Sequence, residues 1–189
     1  MRTFIWLFVL LLLGGCGNVL VALHSDTIAE NPTKRTLGRR VEDESIETKS
    51  TVNINNASQA LRESHVNVVS YNGYVLIVGQ VPSQAAKDQA TEIVRPLTGV
   101  RRIYNELKVA APSSTMTRTS DTWITSKVKS LLVARKDIYG QRVKVTTENG
   151  VVYLMGMATA AQAKLITDVA RDVSGVQRVV SLMEIVNPN

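Results

Sequence analysis

The sequence predicts an α+β protein made of two tandem copies of one small domain, each an αββαβ unit whose three-stranded mixed sheet packs on two helices. Residues 66–79 align with residues 143–156 without a gap at a constant offset of 77, and the similarity continues at an offset of 76 as far as Arg178. Repetition at a fixed offset is typical of duplicated structural units. A length of 189 residues is sufficient for two small domains.

Each copy contains the signal for a β-hairpin. The Asn-Gly pairs at residues 72–73 and 149–150 are typical of the type I′ turn, because both of its central positions require a positive φ. Residues that favour strands flank both pairs. The strands after the turns, residues 75–78 and 151–155, are apolar on both faces, which predicts that each is the central strand of its sheet.

A helix is predicted after each hairpin. Ser83 and Thr159 are suited to be helix N-caps, and Gln162 completes a capping box with Thr159. Apolar side chains then recur at helical spacing in both copies. Pro96 predicts that the helix of the first copy ends about one residue early.

A third strand and an opening helix complete each copy. The β-branched runs at residues 100–109 and 176–186 predict third strands, and a strand–helix–strand connection places each parallel to the strand before it. In the second copy Asp121 is expected to cap the opening helix. The core stripe of that helix consists of Ile124, Val128, Leu131 and Leu132. In the first copy helix propensities are poor, so a helix is expected only near residues 43–51.

The N-terminus has the features of an export signal. Arg2 precedes an unbroken apolar run of ten residues, 4–13, which fits a signal peptide and is too short to span a bilayer. The run leads into Leu-Gly-Gly-Cys, which resembles the bacterial lipobox and implies cleavage before Cys16 and acylation of its thiol. The residue after the cysteine is Gly17 rather than Asp. By the sorting rule of bacterial lipoproteins, this implies the outer membrane. An ordinary secretory signal with an unrelated cysteine is the alternative.

These features predict the domain organisation. Residues 1–15 are expected to be a lipoprotein signal peptide, residues 16–41 an acylated cysteine with a flexible linker, and residues 111–120 a short second linker. The two domains are expected at residues 42–110 and 121–187. The mature protein is expected to be tethered to a membrane by its acyl chains.

Composition argues against several classes of function. Two His and one Cys are too few for a structural zinc site or a disulfide framework, and no sequence pattern links a His to a catalytic Ser or Asp. Nucleic acid is not an expected partner despite a net charge of +6, because export removes the protein from it and no stacking aromatics accompany the charge. We therefore expect no enzymatic activity, no cofactor and no metal.

The order of predicted elements, with the Asn-Gly pair and a later Gly-Val pair repeated in each copy, resembles the BON domain. The resemblance covers about residues 42–186, with the stretches 121–130 and 143–150 as its best match. Two such copies behind a lipobox resemble the dual BON-domain outer-membrane lipoproteins of Gram-negative bacteria. This resemblance implies a non-enzymatic, phospholipid-binding protein of the periplasm that supports outer-membrane integrity. It also implies that the second copy contacts the lipid. The first copy departs from the family pattern at its opening helix, which argues against an equivalent lipid role there.

The candidate site is the face of the second copy's opening helix that lies opposite its core stripe. At about 100° per residue, this face carries Trp123, Ser126, Ser130 and Val133, flanked by Lys127 and Lys129. An amphipathic indole at headgroup level and two ammonium groups suit a membrane of anionic phospholipid. Alternatively, Trp123 covers the edge of the core stripe and the lysines form a solvated face.

Charge and two neighbouring segments extend this interpretation. Residues 121–186 carry nine Lys/Arg against six Asp/Glu, a net charge of +3, whereas residues 42–109 carry seven against eight, a net charge of −1. The loop at residues 135–142 contains an apolar pair, Ile138 and Tyr139, that either joins the helix face or belongs to a solvated loop. Residues 120–122 are expected to leave helix N-terminal amides that can hold a phosphate.

A protein-interaction scaffold is the alternative function. Tyr71, Tyr74 and Tyr104 are predicted on or beside strands of the first copy. There they can present a sheet face or edge to an envelope-assembly component or a peptidoglycan-remodelling regulator. Half-buried packing within the sheet is the other interpretation of these tyrosines.

Overall fold

The first copy opens with a long helix that is followed by a short one. The computed structural model describes residues 33–187, so the predicted signal peptide, Cys16 and the linker up to residue 32 lie outside the described residues. The elements of the first copy are α1 (Leu37–Ala57), α2 (Gln59–Arg62), β1 (His65–Tyr71), β2 (Tyr74–Val81), α3 (Gln84–Val94), β3 (Arg102–Asn105) and β4 (Lys108–Val109).

The second copy repeats this order without the short second helix. Its elements are α4 (Thr115–Ala134), a 3₁₀ turn (Gly140–Arg142), β5 (Lys144–Glu148), β6 (Val151–Ala158), α5 (Ala160–Arg171) and β7 (Arg178–Ile185). The predicted fold class, two tandem αββαβ domains with mixed sheets, is confirmed.

The strand after each Asn-Gly turn is the central strand of its sheet. β2 pairs antiparallel with β1 and parallel with β3 and β4, while β6 pairs antiparallel with β5 and parallel with β7. Both turn residues have a positive φ, 53° and 77° at Asn72 and Gly73, and 49° and 71° at Asn149 and Gly150. The predicted hairpins are therefore confirmed in both copies.

The helices after the hairpins also begin where the sequence predicts. Ser83 caps α3, and Thr159 forms a reciprocal capping box with Gln162 at the start of α5. α3 ends at Val94, whereas α5 continues to Arg171, the position aligned with Arg95. The predicted early end before Pro96 is confirmed.

Both opening helices begin earlier than predicted. Thr36 caps α1 by accepting a hydrogen bond from the Arg39 amide at 3.2 Å, and Ser114 caps α4 by accepting one from the Thr117 amide at 3.2 Å. The first turns of each helix therefore come from segments predicted to be linker. The prediction of a short α1 was wrong because packing of buried Ile46 and Ile54 stabilises it, and tertiary packing outweighs weak helix propensity.

Each Asn-Gly turn is held by a buried aspartate of the opening helix. In the second copy Asp121 accepts hydrogen bonds from the amides of Asn149 at 2.8 Å and Gly150 at 2.9 Å. The prediction that Asp121 caps α4 was wrong, because it lies inside the helix. Asp43 binds the first turn in the same way, through the amides of Asn72 at 2.8 Å and Gly73 at 2.9 Å.

Asp43 has additional partners that keep it ionised. Ser70 donates its hydroxyl to Asp43 at 2.7 Å, and the Arg35 guanidinium donates at 2.5 Å. Burial raises the pKa of this carboxyl, but the hydrogen bonds from Gly73, Ser70, the Asn72 amide and Arg35 outweigh burial, and the pKa lies below its usual value.

Each copy has its own core between the sheet and the helices. The first core contains buried residues of α1, α2, α3 and the strands, including Ile46, Leu61, Ile77, Ala90 and Leu107. The second contains the corresponding residues of α4, α5 and the strands, including Ile124, Val128, Leu132, Leu154 and Ile166. Leu107 is buried where the third strand of the first copy is broken between β3 and β4.

The remaining sheet faces of the two copies pack against each other. This sheet-to-sheet interface has a buried apolar cluster contributed by both copies, consisting of Val69, Tyr71, Leu76, Val78, Tyr153, Met155 and Leu182. Tyr74 and Tyr104 are partly buried against the same cluster. The face on which the first copy was expected to present its tyrosines to a partner is therefore covered by the second copy, and the packing interpretation holds.

Polar contacts surround this apolar interface. Glu184 of β7 accepts hydrogen bonds from the Asn72 side chain at 2.6 Å and from the Arg101 guanidinium at 2.9 and 3.1 Å. At another point of the interface, Gln80 donates to Glu148 at 2.6 Å. These charge-assisted contacts fix the register of the two sheets.

Candidate functional site

α4 directs one side into the core and the other to solvent. Ile124, Val128 and Leu132 are buried, whereas Trp123 is 54% exposed and Val133 is 57% exposed. The side chains of Ser126, Lys127, Lys129 and Ser130 are also exposed. The structure thus brings the six predicted site residues together on the solvent side of one helix, with the indole directed away from the core.

Two apolar residues belong to this side that the sequence interpretation did not include. Met116, 83% exposed, lies two turns before Trp123 on the same side of α4. It was missed because the helix was expected to begin at Asp121, although Ser114 is a typical N-cap. Leu131 was predicted to be in the core and is 39% exposed at the edge of the buried stripe, so that prediction was wrong.

The two lysines lie on opposite flanks of the exposed face. They are separated by two residues, or about 160° around the helix axis. Within residues 33–187, neither ammonium group forms an ion pair with a carboxylate. Both charges are therefore available to an external anion.

The two serines of the face differ in what they can donate. Ser126 donates its hydroxyl to the carbonyl of Thr122 at 2.9 Å, one turn earlier in the helix. Its proton is therefore in use, and the Ser126 oxygen is left as an acceptor. Ser130 makes no such hydrogen bond in the described part of the chain, so its hydroxyl is free to donate to a ligand.

The loop after α4 contributes one exposed aromatic residue rather than an apolar pair. Ile138 is buried in the second core, so the expectation that it joins the exposed surface was wrong. Tyr139 is exposed, and the Arg142 guanidinium lies 4.0 Å from the centre of its ring. Arg135 pairs with Asp137 on the surface of the same loop.

The predicted anion site at the N-terminus of α4 is not formed at residues 120–122. The helix starts two turns earlier, at Thr115, so the amides of these residues lie inside the helix. The negative charge of Asp121 is directed at the Asn-Gly turn instead. The residues that remain for ligand binding on this side are those of the exposed face and its flanks.

Two other features are absent from residues 33–187, a metal-binding cluster and a membrane-spanning helix. No three His, Cys, Asp or Glu side chains in residues 33–187 cluster in a way that would hold a metal ion. None of the helices in this part of the chain has the length and apolar character needed to cross a bilayer.

Comparison with known proteins assigns the repeat. The BON domain model matches residues 42–111 and again residues 120–187. The chain is 38% identical over 157 residues to Outer membrane lipoprotein DolP of Haemophilus influenzae, covering 83% of this chain and 80% of that protein.

Two further relatives are similar to this chain over most of its length. The chain is 38% identical over 152 residues to the 21 kDa hemolysin of Actinobacillus pleuropneumoniae, covering 80% of this chain and 78% of that protein. It is 30% identical to Osmotically-inducible protein Y of Escherichia coli, covering 63% of this chain and 61% of that protein. None of these names is that of an enzyme. With two matched repeats and this identity over most of its length, the chain belongs to the family of dual BON-domain outer-membrane lipoproteins.

Proposed function

We propose that this protein is held at the periplasmic side of the outer membrane by an acylated Cys16 and binds anionic phospholipid through the exposed face of α4, in support of envelope integrity. The observation that carries the proposal is the exposure of Trp123, 54%, on a helix whose opposite side is completely buried. An indole left in water beside a well-packed core is typical of a surface that contacts the membrane interface.

The residues around the indole fit that environment. Met116, Leu131 and Val133 add exposed apolar groups along α4, and the two lysines on its flanks lack carboxylate partners within the described residues. Apolar groups among cations, with no exposed acid on the helix, match the chemistry of interfacial helices that bind anionic lipid.

The expected affinity of the face alone is low. Each cation near an anionic surface contributes about 1 kcal/mol, and salt screens this attraction. A lipid anchor at Cys16 would convert binding into an intramolecular event at high effective lipid concentration. A weak contact is then sufficient to orient the domain on the membrane.

The packing of the two copies supports the same division of roles. The tyrosine-bearing face of the first copy is buried against the second, so it is not available to an envelope protein. The names of two relatives, a lipoprotein of the outer membrane and a hemolysin, both concern membranes. These observations favour the membrane function over the scaffold function.

The test uses residues 17–189, which contain both cores and a single Trp. With vesicles of phosphatidylethanolamine and phosphatidylglycerol we expect a blue shift of Trp123 emission that salt weakens. Trp123→Glu is expected to abolish co-sedimentation with these vesicles while the circular dichroism spectrum stays unchanged.

The matched control is Val52→Glu. Val52 is an apolar residue of α1 with a similar exposure, 50%, so its substitution places the same charge on the opening helix of the first copy. We expect this variant to bind vesicles like the wild type. Equal loss of binding in both variants, or no binding by the wild type, would contradict the proposed function.

A further inference from the structure

A polar groove of about 440 Å³ runs along the flank of α4 that carries Lys129. One wall is α4, the floor is β5 of the second copy, and the opposite wall is the start of β1 in the first copy, at His65 and Asn67. Ser126 and Lys129 belong both to this groove and to the exposed face of α4. The groove is therefore continuous with the surface proposed to contact the membrane.

The wall formed by α4 places cations at both ends of a row of hydroxyls. The residues that line it are Arg118, Thr122, Thr125, Ser126 and Lys129. Arg118 and Lys129 are eleven residues apart, or about 16 Å along the helix. Lys129 lies at the end of the row nearer to Thr125 and Ser126, and Arg118 lies at the other end.

The two carboxylates in the groove are already engaged by donors of the protein. Glu148 accepts from the Gln80 side chain at 2.6 Å, and the His65 imidazole lies 3.4 Å from its other oxygen. Both oxygens of Asp121 accept amides of the Asn-Gly turn. The oxygens of both acids are therefore occupied by donors of the protein, and within residues 33–187 neither acid forms an ion pair with Arg118 or Lys129.

The hydroxyls of Thr122, Thr125 and Ser126 donate within the protein, whereas the cationic and amide donors of the groove are largely unused. The Lys129 ammonium and the side-chain amide of Asn67 have no hydrogen-bond partner within residues 33–187, and the Arg118 side chain uses only its Nε, toward the Ser113 hydroxyl at 3.3 Å. An ammonium, most of a guanidinium and a side-chain amide thus lack hydrogen-bond acceptors within the described residues. The ligand that complements them is an anion with several acceptor oxygens, for which a phosphodiester is suited.

We propose that this groove binds the phosphodiester of an anionic glycerophospholipid, while the glycerol and acyl portion of the same molecule lies against Trp123 and Val133. The inference rests on the proposed function and adds a defined headgroup site to it. It also assigns the first copy a part in lipid recognition, because Asn67 comes from β1. Inorganic phosphate shares the acceptor chemistry, so the experiment includes it as a separate probe.

The two lysines of α4 give a matched pair of variants. Lys127→Gln and Lys129→Gln remove the same charge from the same helix, but only Lys129 lines the groove. Loss of a diffuse surface attraction is expected to weaken vesicle binding no more than about fivefold. Loss of a charge-assisted hydrogen bond is expected to weaken it at least about tenfold. We expect the smaller effect for Lys127→Gln and the larger effect for Lys129→Gln and Arg118→Gln.

A second measurement locates the headgroup directly. Residues 17–189 are titrated with short-chain phosphatidylglycerol below its critical micelle concentration, and amide shifts are followed by NMR. We expect shifts at Thr125, Thr146 and Asn67, which line the groove, at lipid concentrations where inorganic phosphate produces none. Asn67→Ala is expected to weaken the binding.

The outcomes separate the groove from the membrane function. If wild-type protein binds vesicles but Lys127→Gln and Lys129→Gln lose affinity equally, the groove proposal is overturned and the proposed function stands. Shifts confined to the outer side of α4, around Trp123 and Ser130, would overturn it as well. Groove shifts with inorganic phosphate at equal or lower concentration would assign the site to free phosphate instead. Absence of vesicle binding by the wild type defeats both proposals.

Discussion

The buried aspartate that holds each Asn-Gly turn gives a sharp prediction for stability. Asp121 accepts one turn amide on each carboxylate oxygen, from Asn149 at 2.8 Å and from Gly150 at 2.9 Å. Asp121→Asn keeps the shape of the side chain but replaces one acceptor oxygen by an NH₂ group. One turn amide then faces another donor in a buried position, and the remaining hydrogen bond loses its charge.

The expected cost follows from these two changes. A hydrogen bond to a charged group contributes about 1.5–3 kcal/mol, and a buried donor left without a partner costs about 1–3 kcal/mol. Because the turn can relax partly toward water, we expect a total of about 3 kcal/mol. In a cooperative unit of this size, 1 kcal/mol lowers Tm by about 2–4 °C, so Asp121→Asn is expected to lower Tm by roughly 6–12 °C.

Thermal unfolding followed by circular dichroism measures the change, with Asp137→Asn as the control. Asp137 undergoes the same substitution but lies exposed on a loop, where it pairs with Arg135, and its variant is expected to melt like the wild type. Hydrogen exchange at the Asn149 and Gly150 amides is expected to speed up only in Asp121→Asn. A Tm for Asp121→Asn as high as that of the control would refute the role of this carboxylate.

Three further predictions follow from the described contacts. The pKa of Asp43 is lowered from 3.8 in the folded state. Its contribution to stability is therefore complete above about pH 4 and is lost as the pH falls through the folded pKa. The free energies of unfolding in urea of the wild type and of Asp43→Asn should differ at neutral pH and converge in acid. Ile124→Glu buries an unpaired charge in the second core and should abolish its cooperative unfolding transition. Gly79→Ala should lower stability by at least about 2 kcal/mol, since its Cβ would lie 1.9 Å from the His65 carbonyl oxygen at a φ of +125°. Gly156→Ala, at the equivalent position, meets mainly a flexible methionine side chain and should cost less in the same urea assay.

Elements specified by neighbouring residues could be predicted from the sequence. The Asn-Gly pairs predict both hairpins because few other residues adopt a positive φ at two successive positions. Ser83 and Thr159 predict two helix starts because a hydroxyl three residues from a free amide is a local arrangement. In each case the interacting residues lie within a few positions of one another, so the local sequence is sufficient to predict the structure.

The start of α4 was predicted too late, although Ser114 forms the same local cap as Ser83 and Thr159, and the reason is physical. Asp121 has the residue type of an N-cap, but its carboxylate is used by a turn 28 residues later in the chain. That contact exists only after β5 and β6 have packed on the helix. Because α4 begins earlier than expected, Met116 was not included in the exposed face, and the expected anion site at residues 120–122 is not formed. Leu131 and Ile138 were misassigned for a similar reason, since the boundary between core and surface depends on the neighbouring elements.

Packing between the two copies was also beyond the reach of a local pattern. β2 and β6 are apolar on both faces, which predicts that both faces are covered without specifying by what. The structure shows that helices cover one face and the sheet of the other copy covers the second. Both faces of each sheet are thereby buried. The helices therefore provide the exposed surfaces on which the two copies can differ.

The difference between the opening helices supports the function proposed for the second copy. Both expose apolar side chains, Val41 and Val52 on α1 and Trp123 and Val133 on α4. α1 contains three basic and four acidic residues, whereas α4 contains three basic residues and the single acid Asp121, which is buried. An anionic bilayer would meet exposed carboxylates on α1 and only cations on α4, so repulsion disfavours the first surface and attraction favours the second. The fold supplies two similar amphipathic helices, and charge selects the one suited to bind anionic lipid.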